Sequence, residues 1–211
     1  MPVATTTPDP EVSAVILAGG MARRMGGEDK GLLELDGRPV IDYIIEALRT
    51  QSSHIFINAN RNLDRYREFG YPVVSDIPGE SLGPLAGMAT GMQAAATPLL
   101  LTVPCDSPFI PARLCSTLRA AMEQLDAEIS VAHDGIRMQP VFALLRCALL
   151  PGLLSYLDAG GRRVDAWVGQ QRLALADFST EADSFLNMNT PTDRLAIEKK
   201  LAGLAHFLPD Q

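Results

Sequence analysis

Aromatic residues are scarce in this chain, at 6% of 211 residues, although hydrophobic residues in total reach 47%. The apolar content is therefore carried by Ala and the aliphatic residues, which suits a parallel sheet covered by Ala- and Leu-rich helices. Cysteine is rarer still: Cys105, Cys115 and Cys147 are odd in number and form no CxxC pair. That excludes a disulfide framework or a thiolate zinc site as the organising feature and fits a reducing cytoplasm. No apolar run is long enough to span a membrane, because stretches such as 147–154 are broken by Pro151 and Gly152. Basic residues are outnumbered, 18 against 25 acidic ones, for a formal charge of −7. A broad nucleic-acid surface is excluded on that balance, and any phosphate ligand must meet a local basic pocket. Histidine offers little: His54, His133 and His206 are scattered with no metal-ligand spacing, so each reads as structural or exposed. Trp167, alone of its kind, reads as packing.

The length fits one domain. The opening MPVATTTPDPE is rich in Thr and Pro and lacks the basic start and apolar run of a secretory leader. Residues 1–12 are accordingly expected to form a disordered lead-in, and 13–211 a single domain.

What the chain does have is a regular alternation of apolar patterns. Strands are expected at 13–17, 34–35, 54–58, 72–75, 99–103, 129–132 and 141–145, with short ones at 176–178 and 185–188. Helices are expected at 40–49, 63–69, from GPLAGM through residue 96, at 111–125, around 149–157 and at 193–207. This alternation predicts an α/β fold with a mostly parallel central sheet and helices on both faces. Ligands of such folds bind at the carboxyl ends of the strands near the topological switch. Asn58, Asp76, Asp106 and the glycine turn at Gly19 and Gly20 all fall at predicted strand ends.

The segment LAGGMARRMGGEDKGLL, from Leu17 to Leu33, gathers five glycines, two arginines and Lys30 in a loop after a strand. Glycines let backbone N–H groups approach an anion closely, and Arg and Lys neutralise charge that backbone alone cannot hold. A triphosphate is the natural guest. The loop has neither the Gly-Lys-Ser/Thr of a Walker motif nor the GxGxxG of a dinucleotide fold. Asp106, between Cys105 and Ser107 after an apolar strand, calls for a cation or backbone donors; helix capping is its bland alternative.

LAGGMARRMGG followed by EDKGLL resembles the signature of the MobA-like nucleotidyltransferases, the molybdenum cofactor guanylyltransferase family. HIFINANR, the strand ending at Asp76, GPLAGM, PCDSPFIP, GRRV and FLNMNTPTD agree in order and spacing, from Ser13 to Arg194. The resemblance implies a three-layer Rossmann-like fold. It also implies transfer of GMP from GTP to the terminal phosphate of molybdopterin, giving the guanine dinucleotide cofactor and pyrophosphate. By position it assigns the GTP site to Leu17, Ala18, Gly19, Lys30, Asn58, Asp76 and Asp106, with Asp106 also holding Mg2+. Gly20, Gly83 and Gly87 join the nucleotide contacts.

In such a transfer the nucleophile is already an anion, so no general base is needed, and catalysis is positioning plus charge neutralisation. Lys30 and Arg24 would offset charge on the pyrophosphate; Arg23 is the alternative to Arg24, since adjacent side chains diverge. Asp76 would read guanine N1 and N2 or bind ribose, and Asn58 either contacts the base or forms a turn. Asn187 and Asn189 would face one side of an extended segment as a second polar wall for acceptor or metal water, or form an Asx turn. Arg162 and Arg163 would receive the acceptor phosphate or stand exposed in a loop.

The rival readings are a related nucleotidyltransferase using CTP or a sugar-phosphate acceptor, and a non-catalytic nucleotide sensor or carrier. The expected partners are GTP and molybdopterin in the cytoplasm. Transient contacts with other cofactor-biosynthesis proteins, molybdoenzyme chaperones or apo-molybdoenzymes are expected on family grounds, with no nucleic acid and no membrane.

Overall fold

The computed structural model describes residues 8–18, 29–76 and 83–205. The first strand, β1, runs Asp9–Leu17. It begins four residues before the apolar pattern does, which corrects the lead-in drawn through residue 12. The cause is charge: Arg119 forms ion pairs with Asp9 and Glu11, and Ser52 Oγ donates to Val12 O at 2.8 Å. Acidic residues that read as disorder in isolation are thus tied down by a partner more than a hundred positions away.

After the loop, a short hairpin of β2 (Glu34–Leu35) and β3 (Arg38–Pro39) leads into α1 (Val40–Leu48). Then follow β4 (Ser52–Asn58), α2 (Leu63–Arg67), β5 (Val73–Val74), α3 (Pro84–Ala94) and β6 (Leu99–Pro104). The rest comprises α4 (Leu114–Gln124), β7 (Ile129–His133), β8 (Met138–Arg146), α5 (Leu150–Asp158), α6 (Val164–Val168), β9 (Leu173–Asp177) and α7 (Pro191–Ala205).

Seven strands form one sheet in the order β5-β4-β1-β6-β8-β7-β9. Only β8 runs antiparallel to its neighbours; the other pairings are parallel. From β1 the chain steps outward to β4 and β5, then returns to the other flank of β1 as β6. That reversal is the topological switch, and it brings the ends of three strands level: Leu17 pairs with both Asn58 and Pro104.

Both sheet faces are covered, which explains why β1 and β6 read as continuous apolar runs instead of alternating ones. Val12, Ala14 and Ile16 pack with Ile41, Ile44, Leu114 and Leu118 on one face. Val15, Leu17 and Leu100 pack with Met88, Leu153 and Trp167 on the other. Trp167 belongs to α6, a helix too short to declare itself in the apolar period.

Several expected elements differ: β9 begins at Leu173 where 176 was expected, and β8 at Met138 where 141 was expected. The helix expected from residue 111 begins at Leu114, because Ile110 is buried ahead of it and Pro111 O accepts Leu114 N in a turn. The strand expected at 185–188 is absent. Phe185 closes a 3-10 turn capped by Leu186 N on Asp183 O, and beyond it Met188 N donates to Asp106 O at 2.9 Å without strand pairing. Phe185 and Met188 are both buried, so apolar spacing mimicked a strand where the partner is a loop.

Candidate active site

Glycine at position 87 decides how closely α3 approaches the strand ends. A Cβ there would lie 2.5 Å from Asn58 Oδ1 and 2.8 Å from Leu17 Cδ2. Gly83 contributes differently: it precedes α3 at φ +70°, a conformation costly for other residues, and lets Pro84 open the helix. With α3 so close, Thr90 Oγ1 reaches Asp76 Oδ1 at 3.1 Å.

Asp76 is the hub of the first half-site. Asn58 Nδ2 donates to one carboxylate oxygen and Asn60 Nδ2 to the other, each at 2.8 Å, and Asp76 N donates back to Asn60 Oδ1 at 2.9 Å. The buried Asn58 is thereby a fixed neighbour of Asp76, not a turn former. Leu17 and Ala18 line the same level, and Ala18 N donates to Asn58 O at 2.8 Å.

The second half-site forms after β6. Lys30 Nζ lies 2.8 Å from Asp106 Oδ2, with side chains only 16% and 13% exposed. Lys30 also donates to Asn189 Oδ1, while Ser107 Oγ donates to Asn187 Oδ1 at 2.5 Å. Asn187 and Asn189 thus reach Ser107 and Lys30, on a segment that the Met188 backbone bond ties to Asp106. Their segment ends in a cap: Asp193 Oδ2 accepts Asn189 N and Thr190 N, and Asp193 N donates to Thr190 Oγ1.

The arginines expected at the acceptor are otherwise engaged. Arg162 Nη1 donates to Leu157 O and Gly161 O, and Arg163 pairs with Asp165. Gly19, Gly20, Arg23 and Arg24 lie outside the described residues, as does His206. Sequence reasoning passed over Asn60, Thr90, Ser107 and Asp193. The signal for Asn60 was present in HIFINANR, where Asn58 and Asn60 alternate onto the same side of the chain.

A Mg2+ ion at Asp106 is testable against the donor set. Among the described residues no group of three or more His, Cys, Asp or Glu gathers, so a cage made wholly of protein is not on offer. What exists is one carboxylate, with the amide oxygens of Asn187 and Asn189 on its immediate partners. That fits Mg2+, which retains waters and is usually held by one or two carboxylates plus substrate phosphates.

Glycine-eased approach at a topological switch, a part-buried lysine-aspartate pair and an amide-held second aspartate together define a nucleotide-handling site. A model of the MobA-like NTP transferase domain matches residues 14–173, and the chain belongs to that family. Two relatives that it matches along nearly their whole length are molybdenum cofactor guanylyltransferases. That of Shewanella loihica is 48% identical over 92% of this chain and 98% of its own. That of Shewanella sp. strain MR-4 is 50% identical over 89% and 96%. Among solved structures, molybdopterin-guanine dinucleotide biosynthesis protein A from Archaeoglobus fulgidus superposes with a TM-score of 0.76 at 18% identity, covering 90% of this chain and 99% of the other. The 2-C-methyl-D-erythritol 4-phosphate cytidylyltransferase of Thermus thermophilus shares the fold at 0.69, with 18% identity and coverage of 91% and 99%.

Proposed function

We infer that the chain transfers GMP from GTP to the terminal phosphate of molybdopterin, forming the molybdopterin guanine dinucleotide cofactor and releasing pyrophosphate. The names of its half-identical relatives support this reading, and the carrying observation in the structure is the part-buried Lys30–Asp106 pair backed by Asn189. An oxygen of the acceptor phosphate attacks the α-phosphorus of GTP. As that P–O bond forms, the bond from the α-phosphorus to the bridging oxygen breaks, and its electrons leave with pyrophosphate. The acceptor is already anionic, so no proton has to be removed.

The chain's own residues orient and neutralise. Lys30, confined by Asp106 and Asn189, presents its ammonium to the triphosphate at low solvent exposure, where charge stabilisation is stronger than in water. Asp76, held by Asn58, Asn60 and Thr90, offers a fixed carboxylate to the guanine N1 and N2 donors or to ribose hydroxyls. Asp106 would hold Mg2+, which supplies further neutralisation of the triphosphate.

The test supplies purified protein with each of the four nucleoside triphosphates, with and without Mg2+, and with molybdate-loaded molybdopterin. Pyrophosphate and nucleotide-bearing product are followed. Turnover with GTP and Mg2+ only is expected. Preference for CTP would keep the chemistry but overturn the base, and GTP binding without turnover would favour a sensor. Asp106→Asn is expected to abolish turnover, and turnover retained in that variant would refute the metal role.

A further inference from the structure

Next to Lys30 stands a carboxylate to which the proposed reaction gives no task. The Asp29 side chain is 2% exposed and lies 2.5 Å from Arg61 Nη2, whose side chain is 43% exposed. Asn62 Nδ2 donates to its second oxygen at 2.6 Å. A carboxylate taken out of water is tolerated only when paired and hydrogen-bonded, and both partners come from the segment directly after β4. The contrast in burial makes Asp29 the fixed member and Arg61 the one that reaches in.

Asn62 adopts the left-handed conformation, φ 49° and ψ 35°, at the start of α2. A non-glycine residue is held there at some conformational cost. Two residues earlier, Asn60 grips Asp76. Segment 58–62 therefore holds two aspartates at once: Asp76 through Asn58 and Asn60, and Asp29 through Arg61 and Asn62.

On the other side of Asp29 the chain is equally confined. Asp29 O accepts Leu32 N at 3.0 Å, opening a tight turn. A Cβ at Gly31 would meet Cys105 Cβ and the Tyr66 hydroxyl, each at 3.2 Å. Lys30 sits between these constraints on a long stem rich in rotamer freedom. Fixing its Cα is the least costly way to aim its ammonium at Asp106.

We propose that Asp29 is a positioning residue for Lys30, with Arg61 and Asn62 as the catch that holds it, so that the strand end carrying Asn58 is tied to the lysine. This rests on the reading of Lys30 as the triphosphate's cation, and the test separates the two. Asp29→Asn keeps the shape and removes the charge that pairs with Arg61. It is expected to lower kcat/KM for GTP about tenfold or more, and to do nothing further in a Lys30→Met background, because it acts through that lysine.

The same cycle is read on GTP affinity with a fluorescent analogue, so slow turnover in Lys30→Met does not blind it. Arg61→Met, which leaves the buried Asp29 carboxylate with only Asn62 as a side-chain donor, reproduces the loss, and Arg61→Lys, which keeps a cation there, recovers part of it. Equal losses from Asp29→Asn with and without Lys30 would overturn the proposal, as would unchanged kinetics in Asp29→Asn. If Lys30→Met itself leaves affinity and turnover intact, the reading of Lys30 falls and the latch falls with it.

Discussion

Gly87 carries more of the site than its missing side chain implies. Adding a methyl group must displace Asn58 Oδ1 or Leu17 Cδ2, and Asn58 is already committed to Asp76. Gly91, one turn on, offers an internal control, since a Cβ there would meet Leu100 Cδ2 at 2.9 Å and Val15 Cγ1 at 3.1 Å, both purely apolar. Overpacking of this kind costs about 1–3 kcal/mol in either place. Thermal midpoints of Gly87→Ala and Gly91→Ala are therefore expected to fall together. Steady-state kinetics should divide them: Gly87→Ala raises KM for GTP about tenfold, and Gly91→Ala leaves it close to wild type. Equal KM values in the two variants would show that Asn58 and Asp76 do not depend on the approach of α3. Asn58, Asp76, Asp106 and Gly87 were legible because each sits at a strand end or helix start that local pattern reveals. Asp29 with Arg61 was not, since the pair joins positions 32 residues apart and neither residue is unusual alone.

The element that closes the second half-site is the segment from Asn187 into α7. Thr190 and Asp193 form a reciprocal cap of the kind that stabilises helix starts. Hydrogen bonding from Thr190, opposed by burial and helped by the Asn189 and Thr190 amides and the charge of Lys30, holds the Asp193 carboxyl below its ordinary value. Further along α7, Lys200 pairs with Asp183 at 3.2 Å and lies over the Phe109 ring. The helix is thus pinned to the loop that carries Asp106. A carboxyl with a depressed folded pKa contributes stability above its unfolded value, and that contribution disappears as pH falls through the folded value. Asp193→Asn should accordingly lower stability at neutral pH and flatten the acid side of the melting curve below about pH 4, as read by thermal melts from pH 7 to 2. A parallel loss at all pH values would place the effect in packing instead of charge. Sequence pattern found α7 but mistook its approach for a strand, because burial of Phe185 and Met188 has the same spacing whether the partner is a strand or a loop.

Across the whole molecule, one sheet serves both halves of the site, and its thiols report whether the fold opens as a unit. Cys105 and Cys115 are buried in the same apolar cluster, whereas Cys147 lies half-buried against the opposite one. Burial pushes the Cys115 thiol up to about 12, and it moves the Cys105 thiol higher still, with Asp106 adding to the effect and Lys30 opposing it. The thiolate is the reactive form, so near pH 8 neither group reacts with an alkylating agent while the fold is closed. Cys147 is expected to label first. Cys105 and Cys115 should then label together, at one rate that rises with urea, because β6 and α4 share a core with β1 and the seven strands offer no seam between them. Substrate binding should slow both by the same factor, since a ligand that favours the folded chain lowers the population from which either thiol reacts. Mass spectrometry of peptides after timed quenching reads this directly. Labelling of Cys115 well ahead of Cys105 would mean that α4 opens on its own, and that the wall facing Lys30 and Asp106 is steadier than the helix beneath it.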